Sequence, residues 1–208
     1  MEQFYIVKQN KRHMKTTSLI KRLQCTAGLL SMLLILLVIS TATAQTNYTA
    51  SGVTIKVSGT SNLHDWDVKS STATVSATIT VGANGTITAL SALNFTTPVN
   101  ALKSEHNGMD KNTYKALKKD ANPNISFLLK TATITGNVIK CHGTLTIAGK
   151  GVETDVFVSY KLNADKTITV TGTKTINMLD YGVEPPTALL GTIKTGKEVV
   201  LSFTVTMK

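Results

Sequence analysis

Cysteine is scarce in this chain. There are two, Cys25 and Cys141, and only Cys141 lies beyond residue 44. A single cysteine has no internal partner, so residues 45–208 must be held by core packing and strand ladders without a disulfide staple. No zinc-ligand signature is present, and no Gly-x-Ser-x-Gly elbow places a serine for nucleophilic attack. The chain has one tryptophan, Trp66. A strong excess of charge is also missing once the first 44 residues are set apart. They hold six of the 22 Lys and Arg and one of the 12 Asp and Glu, which leaves 16 basic and 11 acidic residues, a balance of +5. That is an ordinary soluble surface and excludes a nucleic-acid footprint. Lys118 and Lys119 read as a solvated helix face.

The first 44 residues have their own pattern. Lys8, Lys11, Arg12, Lys15, Lys21 and Arg22 precede an uncharged apolar run from Ala27 to Ile39, which ends in Ala42-Thr43-Ala44-Gln45. A basic head, an apolar middle and small residues two apart before a polar one make a secretory signal peptide, with cleavage after Ala44. The run falls short of the ~20 residues of a membrane span and no basic stop-transfer cluster follows, so the mature chain, 45–208, has no integral span. Cys25 precedes the apolar run, whereas a lipidated cysteine follows it. Either Met1 or Met14 can start this leader. The expected location is periplasmic or secreted.

From Tyr48 onward the period is two. Val53, Ile55 and Val57 alternate with Thr54, Lys56 and Ser58, the pattern of a half-buried strand. Further strands are predicted over 68–81, 87–95, 125–134, 138–147, 152–162, 168–176 and 199–205. Gly82-Ala83-Asn84-Gly85, Thr135-Gly136-Asn137, Ala148-Gly149-Lys150-Gly151 and Asn163-Ala164-Asp165-Lys166 supply turns. One helix, Met109–Lys119, is predicted between strands 3 and 4, with Met109, Thr113, Tyr114 and Leu117 on one face and Asn122-Pro123 ending it. The fold class is all-β: eight antiparallel strands that form an up-and-down or lipocalin-like barrel, or a two-sheet sandwich, which periodicity alone does not separate. Residues 177–196 interrupt the rhythm with too many apolar side chains for a free linker.

Four segments carry a family resemblance. They are Gly59-Thr60-Ser61-Asn62-Leu63-His64-Asp65-Trp66; Pro98-Val99-Asn100-Ala101-Leu102 with His106, Asp110 and Tyr114-Lys115-Ala116-Leu117; Asn122-Pro123-Asn124-Ile125-Ser126-Phe127; and Gly143-Thr144-Leu145-Thr146-Ile147-Ala148-Gly149 with Val152. In order and spacing the chain resembles the YceI family of polyisoprenoid-binding-like periplasmic proteins over residues 48–207. The resemblance implies an eight-stranded lipocalin-like barrel whose tunnel accepts an isoprenoid or similar lipid. His64-Asp65-Trp66 departs from the His-Leu-Gly of better-known members.

Residues expected to meet such a ligand are Trp66, Phe95, Leu102, Met109, Tyr114, Leu117, Phe127, Met178, Tyr181 and Leu189. Phe127 alternates with Ile125 and Leu129 onto the interior face; Trp66 caps the tunnel or plugs the barrel end; Met178, Tyr181, Leu189 and Leu190 are cover. No cofactor and no catalysis is expected. His64 beside Asp65 and Ser61 lacks an oxyanion site, and Asp65 is expected to cap its loop. Cys141 and His142, adjacent in a strand, point to opposite faces and cannot share a metal. His106 and Asp110 share a helix face at i, i+4 and with His64 suit either a small metal site or, preferably, a hydrogen-bonded loop clasp. The expected function is binding of a long apolar or amphipathic lipid. The alternative is a ligand-free barrel that acts through a protein partner, and a homodimer is open.

Overall fold

A computed structural model describes residues 45–188 and 190–208. The predicted leader and Leu189 lie outside the described residues. The strands are β1 Gln45–Ser61, β2 Trp66–Ser70, β3 Thr74–Val81, β4 Ile87–Pro98, β5 Asn124–Thr135, β6 Val138–Ile147, β7 Lys150–Leu162, β8 Ile168–Asn177, β9 Thr187–Ala188 and β10 Ile193–Met207, with helix α1 Asn107–Ala116 between β4 and β5.

All pairings are antiparallel, and β1 closes the sheet onto β10 from Ala50 opposite Met207 to Ser61 opposite Thr195. The other edge of β1 is shared. Residues 45–49 pair with β3 and residues 55–59 with β2. β2 and β3 thus act as one strand broken at 71–73, and the wall is an eight-stranded closed barrel rather than a sandwich. The break moves the helix to a place after β4, not after a third strand. The cause is local: Ser70 turns back on itself, its hydroxyl donating to the Thr72 carbonyl and accepting from the Thr72 amide. The helix also starts earlier than its apolar pattern suggests. It stops at Leu117 because Lys118 takes a left-handed φ of 53°.

Period two becomes burial where one face looks inward. Ile168 and Ile176 on β8, and Val199, Val205 and Met207 on β10, are buried, while Thr171, Thr173 and Thr204 face out. The two ends differ. At one end Ile79, Ile87, Ile168 and Met207 pack together with Tyr160, whose hydroxyl accepts from the Ile87 amide at 3.0 Å and donates to the Gly136 carbonyl at 3.3 Å. That end is plugged. The other end carries the long connections, 99–123 and 178–192. Among the described residues no helix is long and apolar enough to cross a membrane.

Candidate functional site

Behind the plug the barrel is not filled. An internal cavity of about 240 Å³ runs under the long connections, just below the ~300 Å³ at which ligand pockets usually begin. Its walls are contributed by every barrel strand and are mainly aliphatic, with Ile55, Val75, Ile79, Ile87, Leu145 and Val205 among them. Cys141 lines it too, and burial pushes its thiol up to about 11. The polar side chains are few. Thr97 already donates to the Thr72 carbonyl at 2.8 Å. The other wall residues with polar groups are Thr113, Lys174, Tyr181 and Trp66.

The cap is built from three segments. The first is Pro98–Leu102, where Val99 is sealed and Leu102 points into the cavity. Its far side is pinned by Tyr114, whose hydroxyl donates to the carbonyls of Asn100 and Leu102 at 3.0 and 2.9 Å. Asp110 clasps the same segment, accepting from the amide and hydroxyl of Ser104, both at 2.7 Å, and pairing with Lys103 at 3.3 Å. Burial opposes the charge on Asp110, yet the Ser104 bonds and the Lys103 ammonium hold its carboxyl below the usual range. The second segment is α1, which turns Thr113, Ala116 and Leu117 to the cavity. The third follows β8. Asn177 caps a short 3-10 turn, Met178–Tyr181, and Gly182 leaves it at a φ of 65°. This turn buries Tyr181 and Val183 beneath an exposed Leu179, and burial raises the Tyr181 phenol.

Seven expected site residues meet at this cavity: Trp66, Phe95, Leu102, Leu117, Phe127, Met178 and Tyr181. Met109 and Tyr114 do not line it. The inward positions are Thr113, Ala116 and Leu117; Tyr114 lies about 100° round the helix from them and is taken up by the loop clamp, whereas Met109 points the same way but sits about one to two turns earlier along the axis and does not reach the cavity. Leu189 lies outside the described residues, and its neighbour Leu190 is fully exposed. Sequence reasoning missed Lys174, although its place on the inward alternation of β8 was readable.

The remaining polar residues have structural tasks. Ser61, not Asp65, holds the loop before Trp66; its hydroxyl accepts from the amides of Leu63 and His64 and donates to the His64 carbonyl. Asn62 fastens that loop to the third cap segment, donating to the Thr192 carbonyl and accepting from the Lys194 amide. The His64 ring hydrogen-bonds the neighbouring Asp65 carbonyl through Nδ1, and His106 is the residue before α1, with no side-chain cap. Among the described residues no three His, Cys, Asp or Glu converge as metal ligands. His142 points outward, 2.8 Å from Asp155, opposite to Cys141.

A wider groove of about 480 Å³ lies on the outer wall between Lys56, Phe157, Thr171, Thr173 and Thr204. It is open to solvent and lined largely by threonine and serine hydroxyls, so water competes there with any ligand.

The family model for the YceI-like domain matches residues 38–207. Solved structures share the fold. A polyisoprenoid binding domain from Saccharophagus degradans, implicated in plant cell wall breakdown, superposes with a TM-score of 0.59 at 10% identity, covering 77% of this chain and 97% of its own. BcnA of Burkholderia cenocepacia gives a TM-score of 0.58 at 19% identity over 73% of this chain and 95% of its own. The Campylobacter jejuni YCEI protein gives 0.51 at 19% identity, over 64% and 79%. No curated protein matches the chain.

Proposed function

The chain belongs to the YceI-like domain family, and from that membership we propose that it is an exported, non-catalytic binding protein that holds a long apolar or amphipathic lipid, isoprenoid-like in character, inside its barrel. One observation carries the reading: a cavity walled by aliphatic side chains and roofed by Leu102, Leu117, Met178 and Tyr181. An apolar tail leaves water with about 25 cal/mol gained per Å² buried, and it asks for no hydrogen bond in return. A roof tied by side-chain bonds rather than continuous sheet suits loading and release, because such segments open at lower free energy than barrel strands. The saturated neighbour shells of Ser61, Asn62 and Asp110 support a holding role over catalysis.

Native mass spectrometry of the protein purified from its own source tests the reading. The expected spectrum shows an adduct of several hundred daltons, lost on unfolding and recovered as a lipid by solvent extraction. Protein that carries no adduct and takes up no lipid from vesicles would leave the ligand-free partner reading in its place. Export is tested apart from binding. N-terminal sequencing of the mature form should begin at Gln45 or a close neighbour, and protein that retains residues 27–39 in the membrane fraction overturns it.

A further inference from the structure

On β8 the inward positions run Ile168, Val170, Gly172, Lys174 and Ile176. A lysine in that series breaks an otherwise apolar face. Lys174 is half-buried, and among the described residues it is the one charged residue at the cavity wall. Among the described residues no carboxylate lines the cavity and none pairs with the Lys174 ammonium. No buried side-chain nitrogen or oxygen among the described residues is left without a partner, so the ammonium is not sealed off from solvent. It lies toward the roofed end, two residues from Ile176 and four from Met178. Its cross-strand neighbour Leu201 faces the same cavity.

An unpaired cation against aliphatic walls is costly unless water or an anion attends it. We propose that Lys174 receives the headgroup of the bound amphiphile, and that this headgroup is a monoanion, a carboxylate on a long apolar tail. The inference rests on the binding reading above and adds the head chemistry to it. One ammonium matches one negative charge. A diphosphate head carries more charge than Lys174 neutralises, and the clustered, bidentate guanidinium contacts that suit such groups are absent: residues 45–208 contain no arginine. The other wall residues with polar groups, Thr97, Thr113, Tyr181 and Trp66, are neutral, and the apolar remainder fits the tail.

Three ligands with one tail separate the heads: farnesoic acid, farnesol and farnesyl diphosphate. Each is titrated against the full mature protein preloaded with N-phenyl-1-naphthylamine, a neutral fluorescent probe of the apolar cavity. In the wild type the acid should displace the probe at about one-tenth the concentration of the alcohol, the tenfold ratio expected of one charge-assisted contact, and ahead of the diphosphate. Lys174→Met should lose the ratio, with acid and alcohol each read against that variant's own probe affinity; Lys174→Arg should keep it. Equal affinities for acid and alcohol, a preference for the diphosphate, or an acid preference that survives in Lys174→Met overturns the proposal while the cavity reading stands. A wild type that takes up neither probe nor acid overturns both.

Discussion

The indole of Trp66 lies against Gly59, its cross-strand partner, so closely that any side chain at residue 59 would overlap the ring. The glycine has ordinary extended company in β1; what it provides is room. The ring nitrogen then donates to the Thr60 carbonyl at 3.1 Å, and the indole sits at the roofed end of the cavity. Gly59→Ala should therefore displace the ring and cost about 1–3 kcal/mol by overpacking. Because Trp66 is the one tryptophan, its emission reads the displacement directly as a red shift at unchanged far-UV circular dichroism. An unchanged emission maximum would contradict this packing.

Cys141 gives a pH dependence with a definite sign. Burial raises its thiol from 9.0 to about 11, so the folded protein holds the proton more tightly than the unfolded chain. The stabilisation is complete below pH 9 and is lost as the pH rises toward 11. The melting temperature of the wild type should fall more steeply across that window than that of Cys141→Ala. In native protein at pH 8 the thiol should resist Ellman's reagent and react promptly after unfolding. Fast native reaction would mean that the cavity opens freely at mid-barrel.

Asp110 has the opposite sign. Its folded carboxyl sits below the ordinary 3.8, so its stabilising effect is present above that value and fades as the pH falls through the folded one. Asp110→Asn removes the ion pair with Lys103 and weakens the bonds to Ser104. The variant should melt a few degrees below the wild type at pH 7, and the gap should narrow below about pH 4. A constant gap down to pH 3 would place the loss in packing instead of charge.

The strands were legible because period two maps directly onto a wall with one wet face; Ile55 and Val57, Ile125 and Phe127, and Val199 and Val205 needed only alternation. The barrel closure was not, because it depends on β1 meeting β10, a pairing of distant segments that local pattern does not contain. The break at 71–73 was hidden for a related reason, since it is made by Ser70 bonding to Thr72 within a run still rich in threonine. At the site, Phe95, Leu102 and Phe127 were readable as large apolar residues at element ends and on an inward face. The seating of the helix was not: Met109, Thr113, Tyr114 and Leu117 share one side, and where α1 sits along its axis, as well as around it, decides which of them enters the cavity. Lys174 was overlooked because a charge in a strand is ordinarily outward.

The length of α1 yields the sharpest contrast in the cap. Leu117 lines the cavity, whereas Met109, eight residues earlier on the same apolar side, stays half-buried outside it. A charge at 117 enters the space a lipid tail would fill, and it meets the Ala116 and Ile125 side of the roof, where no anion waits. A charge at 109 can reach water along the length of its own stem. Leu117→Lys should thus abolish lipid co-purification while far-UV circular dichroism keeps its β form, and Met109→Lys should leave the lipid in place. Phe127→Ala completes the series. Its ring packs on Gly143, where an added Cβ would come 2.7 Å from Cζ, and it also faces the cavity. Its removal should cost about 3–5 kcal/mol and widen the binding space at once. If Met109→Lys strips the lipid and Leu117→Lys does not, the helix presents its other end to the ligand, and Leu117 is no part of the roof.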